Sequence, residues 1–370
     1  MQFVDLKTQF KTIEDEVRAS INQVLEHGQF IMGPEVAQLE SELSDFCGAK
    51  RVITTASGFD ALLIALMAYE VGPGDAVIAP SFTFIATAEV IQLLGATTVF
   101  VDVDEKTFNI DVDHLEATIR RVREEGKVNL KGIIPVDLFG LPADYERIEA
   151  IGKAHDLFVL ADSAQSFGAR LNNKSAGTFG DVTATSFFPA KPFGCYGDGG
   201  AVFTDNDELA DLLESIRFHG KGENQYDNVR TGITGRLDTL QAAVLSCKLK
   251  VFADELVHRQ RVADRYSDAF KDLFPVPYVP DGAQSAWAQY TLRSESRDRI
   301  REHLQSKGIP SAVYYPCPLN KQPAFANADG AGVDMPVSEQ LSREVFSLPI
   351  HGYLSEEDQE RVIQAVREAA

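Results

Sequence analysis

The stretch SFFPAKPFGCYGDGGAVF (Ser186–Phe203) is apolar enough to be buried, yet it carries Lys191 between Pro189 and Pro192. A charged lysine is costly in an apolar setting unless it is paired or neutral. Either the side chain leaves a hairpin turn for solvent, or the fold holds a neutral, nucleophilic amine there. A carboxylate stands in a comparable place: Asp162 closes the apolar run LFVLAD and is followed by Ser163, Ala164 and Gln165. Alone it reads as a cap or turn former; beside an amine it reads as an acid aimed at a ligand. The third group is TASGFDALL, where Ser57 and Asp60 have the spacing of a capping box. The same segment reads as an anion cup, with free N–H groups at a helix start, Gly58 for close approach and the Ser57 hydroxyl. No G-x-x-x-x-G-K-[ST] or G-x-G-x-x-G follows a strand, so nucleotide P-loop and dinucleotide motifs are excluded.

The elements that must position these groups follow from the apolar pattern. Runs at Asp75–Ser81, Thr97–Val103, Gly132–Gly140, Leu157–Gln165, Val182–Phe188 and Gly200–Thr204 are expected strands. Helical patterns such as ATAEVIQLLG and DYERIEAIGKAH lie between most of them. Near-continuous apolar strands alternating with helices predict an α/β fold, a mostly parallel sheet covered on both faces. In such sheets ligands sit beyond the carboxyl ends of the strands, where Asp162 and Lys191 both fall. The prolines must stop the strand before Lys191. Phe187, Phe188 and Phe193 are expected to surround it, and Gly194, Gly197, Gly199 and Gly200 to let the backbone turn.

Outside the sheet, Gln9–His27 and Pro34–Phe46 read as helices, and SGFDALLIALMAY as a buried helix. A long helical passage runs from RLDTLQAAV to RYSDAF and is expected to connect two domains. AQYTLR is an expected strand, with SRDRIREHLQSKG and SEEDQERVIQAVREAA as helices. The expected division is a large domain over 1–250, with an N-terminal helical arm, and a small C-terminal domain over 251–370.

Composition narrows the function class. The chain has 370 residues with 35 basic and 55 acidic side chains, a net charge of −20. Such a balance argues against a nucleic-acid or anionic-membrane surface and leaves room for a local basic pocket. Four scattered cysteines, none in a C-x-x-C pair, predict no zinc site or other metal centre, no disulfide framework and a reducing, cytoplasmic setting. MQFVDLKTQF does not read as a signal peptide.

Lys191, Asp162 and the Ser57 helix start together match the needs of pyridoxal 5'-phosphate. That cofactor takes a lysine for a Schiff base, an acid to keep its pyridine nitrogen protonated, and an anion site for its phosphate. Phe84, in SFTFIATA, is placed either to stack on the ring or to pack in the core.

At these residues the sequence resembles the sugar aminotransferases of the DegT/DnrJ/EryC1/StrS family, which share the fold-type-I architecture of aspartate aminotransferase. The likeness runs from FVDLKTQF through FIMGPEVAQLE, DSAQSFGA, SFFPAKPFGCYGDGGA and RLDTLQAA to SLPIHGYL. GCYGDGGA, RLDTLQAA and PLNKQPA are most similar to the bacterial enzymes that aminate UDP-2-acetamido-2-deoxy-3-oxo-glucuronate.

The resemblance implies a glutamate-dependent aminotransferase acting on a keto sugar nucleotide, with another 3- or 4-keto sugar as the alternative substrate. A non-catalytic regulatory protein of the same fold is the alternative of another class. Lys191 would be the Schiff-base lysine and proton shuttle, and Asp162 would hold the pyridinium. Gln165 and Phe84 would flank the ring; Ser57, Gly58 and Ser186 would hold the phosphate. The family forms homodimers with shared sites, so VRTGITGRLD would reach the neighbouring subunit, with Thr234 meeting its cofactor and Arg230 an anionic group of its sugar nucleotide. Arg230 reads otherwise as a solvated surface arginine. Tyr314 and Tyr315, in VYYPCPLN, would face the sugar. The family usually has asparagine at Thr234 and threonine at Phe59, and often histidine at Tyr314.

Overall fold

The computed structural model describes every residue except 225 and 331. Seven strands form the main sheet in the order β1-β9-β8-β5-β4-β2-β3: β1 (Arg51–Thr55), β2 (Asp75–Pro80), β3 (Thr97–Val101), β4 (Asn129–Ile133), β5 (Phe158–Asp162), β8 (Val182–Ser186) and β9 (Gly200–Thr204). The five strands from β8 to β3 are parallel; β9 runs antiparallel to both β8 and β1. Two short strands, β6 (Arg170–Leu171) and β7 (Lys174–Ser175), form a hairpin joined by β10 (Ala283–Gln284).

The sheet carries helices on both faces, as its doubly apolar strands require. One face packs on α4 (Gly58–Ala68), α5 (Ala86–Leu93) and α8 (Asp207–Arg217), through residues such as Leu62, Ile91 and Leu213. The other meets α6 (Val112–Glu125) and α7 (Tyr145–Ala154) through Leu115, Ile119 and Ile148. There α3 (Pro34–Cys47) and α9 (Thr239–Phe270) close a further core through Leu39, Leu245 and Phe252.

Local chemistry shifts some expected boundaries. The N-terminal helix is two helices, α1 (Leu6–Thr12), capped by Asp5, and α2 (Glu14–His27), because Ile13 leaves helical geometry at φ −126°, ψ 16°. Gly132–Gly140 is not one strand. β4 stops at Ile133, two residues before Pro135, which has no N–H for a ladder, and Leu138–Gly140 makes a tight helical turn with Phe139 at φ 60°. β1 has only Val52 and Ile53 as apolar residues, too short a run to stand out.

Helix α9 has 32 residues, about 48 Å at the usual rise per residue. Its first half packs on the main sheet; Val262, Tyr266 and Phe270 in its second half enter the C-terminal core. That core surrounds the antiparallel pair β11 (Tyr290–Arg293) and β12 (Val345–Leu348), with α10 (Arg297–Ser306) and α12 (Glu356–Ala369) against it. α11 (Pro336–Glu344) leads into β12. Residue 250 therefore lies inside a continuous helix. Part of the C-terminal stretch also returns to the main sheet: Asp329 exchanges backbone hydrogen bonds with Thr98 and Phe100 beside β3.

Candidate active site

Strands β5 and β8 lie side by side, with Asp162 opposite Ala184. Their carboxyl ends deliver Asp162 and, past Ser186, the Lys191 loop to one end of the sheet. A cavity of about 480 Å³ opens there, within the range of small-molecule sites. Ser57, Gly58 and Phe59 line it from the start of α4, Phe84 and Thr87 from α5 and its approach. Asp162 lines it from the end of β5 and Gln165 from the loop that follows, Ser186 from the end of β8 and Lys191 from the loop beyond it, and Tyr314 and Tyr315 from the C-terminal part. Phe84 and Phe188 are 53% and 51% exposed, an unusual exposure for phenylalanine that both spend on this cavity.

Lys191 is half-buried at the cavity wall, its backbone N–H closing a turn onto the Phe188 carbonyl at 2.9 Å. Burial pushes the amine's pKa down from its ordinary value, against the pull of the Asp162 charge. Asp162 is buried; burial raises its pKa, and hydrogen bonds from Thr87 and Ala164, with the Lys191 charge, oppose that rise. The pair is thus an amine made easier to deprotonate beside a carboxylate held by two donors. Phe187 and Phe193 sit in the core beneath the loop, whereas Phe188 faces the cavity.

The loop's glycines serve close approach rather than unusual torsions, since none of the four has a positive φ. A Cβ on Gly194 would lie 2.4 Å from the Phe188 carbonyl oxygen, and one on Gly200 2.5 Å from that of Ser57. From below, the buried Lys248 of α9 donates to the Gly194 carbonyl and stands over the Tyr196 ring at 5.3 Å. Burial pushes its pKa down to about 8. Sequence reasoning missed Lys248, though KLK within an apolar helical passage was its signal.

The segment after Asp162 is pinned from behind by Asp137, a fully buried carboxylate outside the cavity. Ser163 and Ser166 donate to its Oδ2 at 2.7 and 2.5 Å; Tyr145 and the Ala143 N–H donate to Oδ1 at 2.7 and 2.9 Å. Gln165 accepts the Phe139 N–H on its Oε1 at 2.9 Å, which turns Nε2 toward the Tyr315 hydroxyl, 3.4 Å away. Sequence reasoning missed Asp137 and Thr87. Asp137 ends an apolar run much as Asp162 does, and the same positional argument could have found it.

At the start of α4 the Ser57 hydroxyl accepts the Asp60 N–H at 3.0 Å, so the capping reading holds. The N–H groups of Gly58 and Phe59 have no partner within the helix. Gly58 is pressed onto Ser186: a Cβ there would lie 2.5 Å from that of Ser186. Backbone donors, two hydroxyls and a floor that admits only glycine suit a phosphate.

Arg230 and Thr234 do not line this cavity. Both are exposed, in the segment that follows α8. Arg230 donates to Ser215, and Thr234 Oγ1 lies 2.7 Å from His219 Nε2. The base of the loop touches the cup, where the Ala56 N–H donates to the Gly235 carbonyl at 3.0 Å. Among the described residues no helix is long and apolar enough to cross a membrane, and all four cysteines are free.

A family model, that of the DegT/DnrJ/EryC1/StrS aminotransferases, matches residues 11–367, and the chain belongs to that family. It is a pyridoxal-phosphate-dependent aminotransferase of the α/β fold expected. The UDP-2-acetamido-2-deoxy-3-oxo-D-glucuronate aminotransferase of Pseudomonas aeruginosa is 46% identical, over 96% of each chain. A pleiotropic regulatory protein of Geobacillus stearothermophilus is 40% identical, over 99% of this chain and 97% of its own. Among solved structures, a DegT/DnrJ/EryC1/StrS aminotransferase from Brucella abortus superposes with a TM-score of 0.98 at 52% identity, covering 100% and 99% of the two chains.

Proposed function

We propose that this aminotransferase moves an amino group from glutamate to a 3-keto sugar nucleotide, UDP-2-acetamido-2-deoxy-3-oxo-glucuronate, as a homodimer with shared sites. The observation that carries the reading is the convergence of Lys191, Asp162 and the α4 cup on one cavity. The 46% identity to the Pseudomonas enzyme supports the sugar.

Pyridoxal phosphate held in this cavity would supply an electron sink for the chemistry at the amino carbon. The protein's own residues do the rest. Ser57, Gly58 and Ser186 bind the phosphate through hydroxyl and backbone donors. Asp162 holds a proton at the pyridine nitrogen. Phe84 and Gln165 flank the ring, and Tyr314 and Tyr315 bound the space left for sugar. Lys191 Nζ, with its lowered proton affinity, takes and returns the proton at the amino carbon as general base and acid.

Among the described residues Lys191 is the only basic side chain lining the cavity, which also carries Glu89, Asp162 and Asp198. A sugar nucleotide with a diphosphate and a uronate carboxylate needs further cations. That need supports a neighbour's Arg230 as the group that meets them.

The test is direct. Purified protein with pyridoxal phosphate and glutamate is given the UDP-3-oxo uronate, its neutral 3-oxo counterpart or a dTDP-4-keto sugar, and products are read by mass spectrometry. The uronate should be aminated with the lowest KM. Amination of the 4-keto sugar alone would replace the assignment.

A further inference from the structure

We propose that Thr87 is a positioning residue: its hydroxyl aims the Asp162 carboxylate and keeps it a weak base, so that the proton shared with the cofactor's ring nitrogen stays on nitrogen. The inference rests on the reading of Asp162 given above.

Thr87 is the second residue of α5 and is fully buried. A helical threonine commonly turns its hydroxyl back to the carbonyl of the preceding turn. This one donates instead to Asp162 Oδ2 at 2.7 Å, across 75 positions of sequence. The Ala164 N–H donates to the other oxygen, Oδ1, at 3.2 Å. The two donors fix the plane of the carboxylate from opposite ends. They leave it with free lone pairs, since a carboxylate can accept about four hydrogen bonds. The Thr83 hydroxyl lies 3.5 Å from that of Thr87 and can polarise it further.

The energetic argument concerns competition for one proton. Burial raises the proton affinity of Asp162. A carboxylate too eager for the proton would take it from the ring nitrogen and leave a neutral pair. A hydrogen bond to an ionised group is among the stronger kinds, and it favours the ionised form. The Thr87 hydroxyl therefore offsets the burial and holds the shared proton on nitrogen, where it makes the ring a sink.

Three variants separate this role from packing. Thr87→Val keeps the shape and removes the hydroxyl; Thr87→Ala also removes it; Thr87→Ser keeps it and loses the methyl. Each holoenzyme is prepared with pyridoxal phosphate labelled with 15N at the ring nitrogen. The 15N chemical shift reports where the proton is, and single-turnover mixing with glutamate reports the half-reaction. Thr87→Val and Thr87→Ala should shift the resonance toward the unprotonated position and slow the half-reaction about tenfold or more. Thr87→Ser should match wild type in both. A wild-type resonance in Thr87→Val, or equal impairment of Thr87→Ser, would overturn the inference. Asp162→Asn separates the two levels: if its resonance matches wild type, the reading of Asp162 itself fails.

Discussion

Asp137 does not line the cavity, yet four donors converge on its carboxylate from Ala143, Tyr145, Ser163 and Ser166. Full burial outweighs those donors and pushes its pKa up to about 6. The folded protein therefore binds more protons than the unfolded chain between about pH 4 and 6, and this group's stabilising contribution falls as pH rises through that window. About two pKa units correspond to roughly 3 kcal/mol. Asp137→Asn lacks the titration and can still meet both pairs of partners, accepting on one side and donating to the serines on the other. In denaturant unfolding the stability of wild type relative to Asp137→Asn should thus drop by roughly 2 kcal/mol from pH 4 to 7. A flat difference would mean that the carboxyl is not raised. Lys191, Asp162 and Ser57 were legible because each closes or opens a strongly apolar run. Thr87 was not, because a threonine in FTFIATA has no local mark of its partner 75 positions away.

At the scale of elements, the runs that announced themselves are the strands buried on both faces, such as β2, β5 and β9. The expected Gly200–Thr204 strand and the final helix lie where the apolar pattern puts them. What was illegible depends on single residues or on distant partners. The kink at Ile13 has no proline or glycine to flag it. It lets α1 turn so that Gln9 donates to both oxygens of the buried Glu255, at 2.8 and 3.0 Å, while Tyr353 donates to the same carboxylate at 2.7 Å. This cluster ties the N-terminal arm, the middle of α9 and the C-terminal part together. The helical passage from RLDTLQAAV to RYSDAF does join one core to the next as α9; what no window around 250 marks is the point inside that helix where one core gives way to the other.

At the scale of the whole molecule, a protein of net charge −20 must gather cations to hold an anionic sugar nucleotide. In the shared-site account the loop that carries Arg230 brings them to the neighbouring subunit. Arg230→Ala and Lys191→Ala homodimers should each be nearly inactive on the keto sugar, one lacking the substrate contact and the other the amine. Dissociated and reassociated in equal amounts, they should recover about a quarter of wild-type activity, because half of the dimers would carry one intact site of two. If hybrid dimers form and no activity returns, Arg230 does not act across the interface.

The central claim, that Lys191 is the reacting amine, is tested most directly by the visible spectrum of Lys191→Ala with pyridoxal phosphate and then glutamate. Wild type should show the absorption band of lysine-bound cofactor and lose it on adding glutamate. Lys191→Ala should still hold cofactor, lack that band, and run the half-reaction slower by roughly 10²–10⁴-fold. A Lys191→Ala protein with the wild-type band and near-normal turnover would contradict the account.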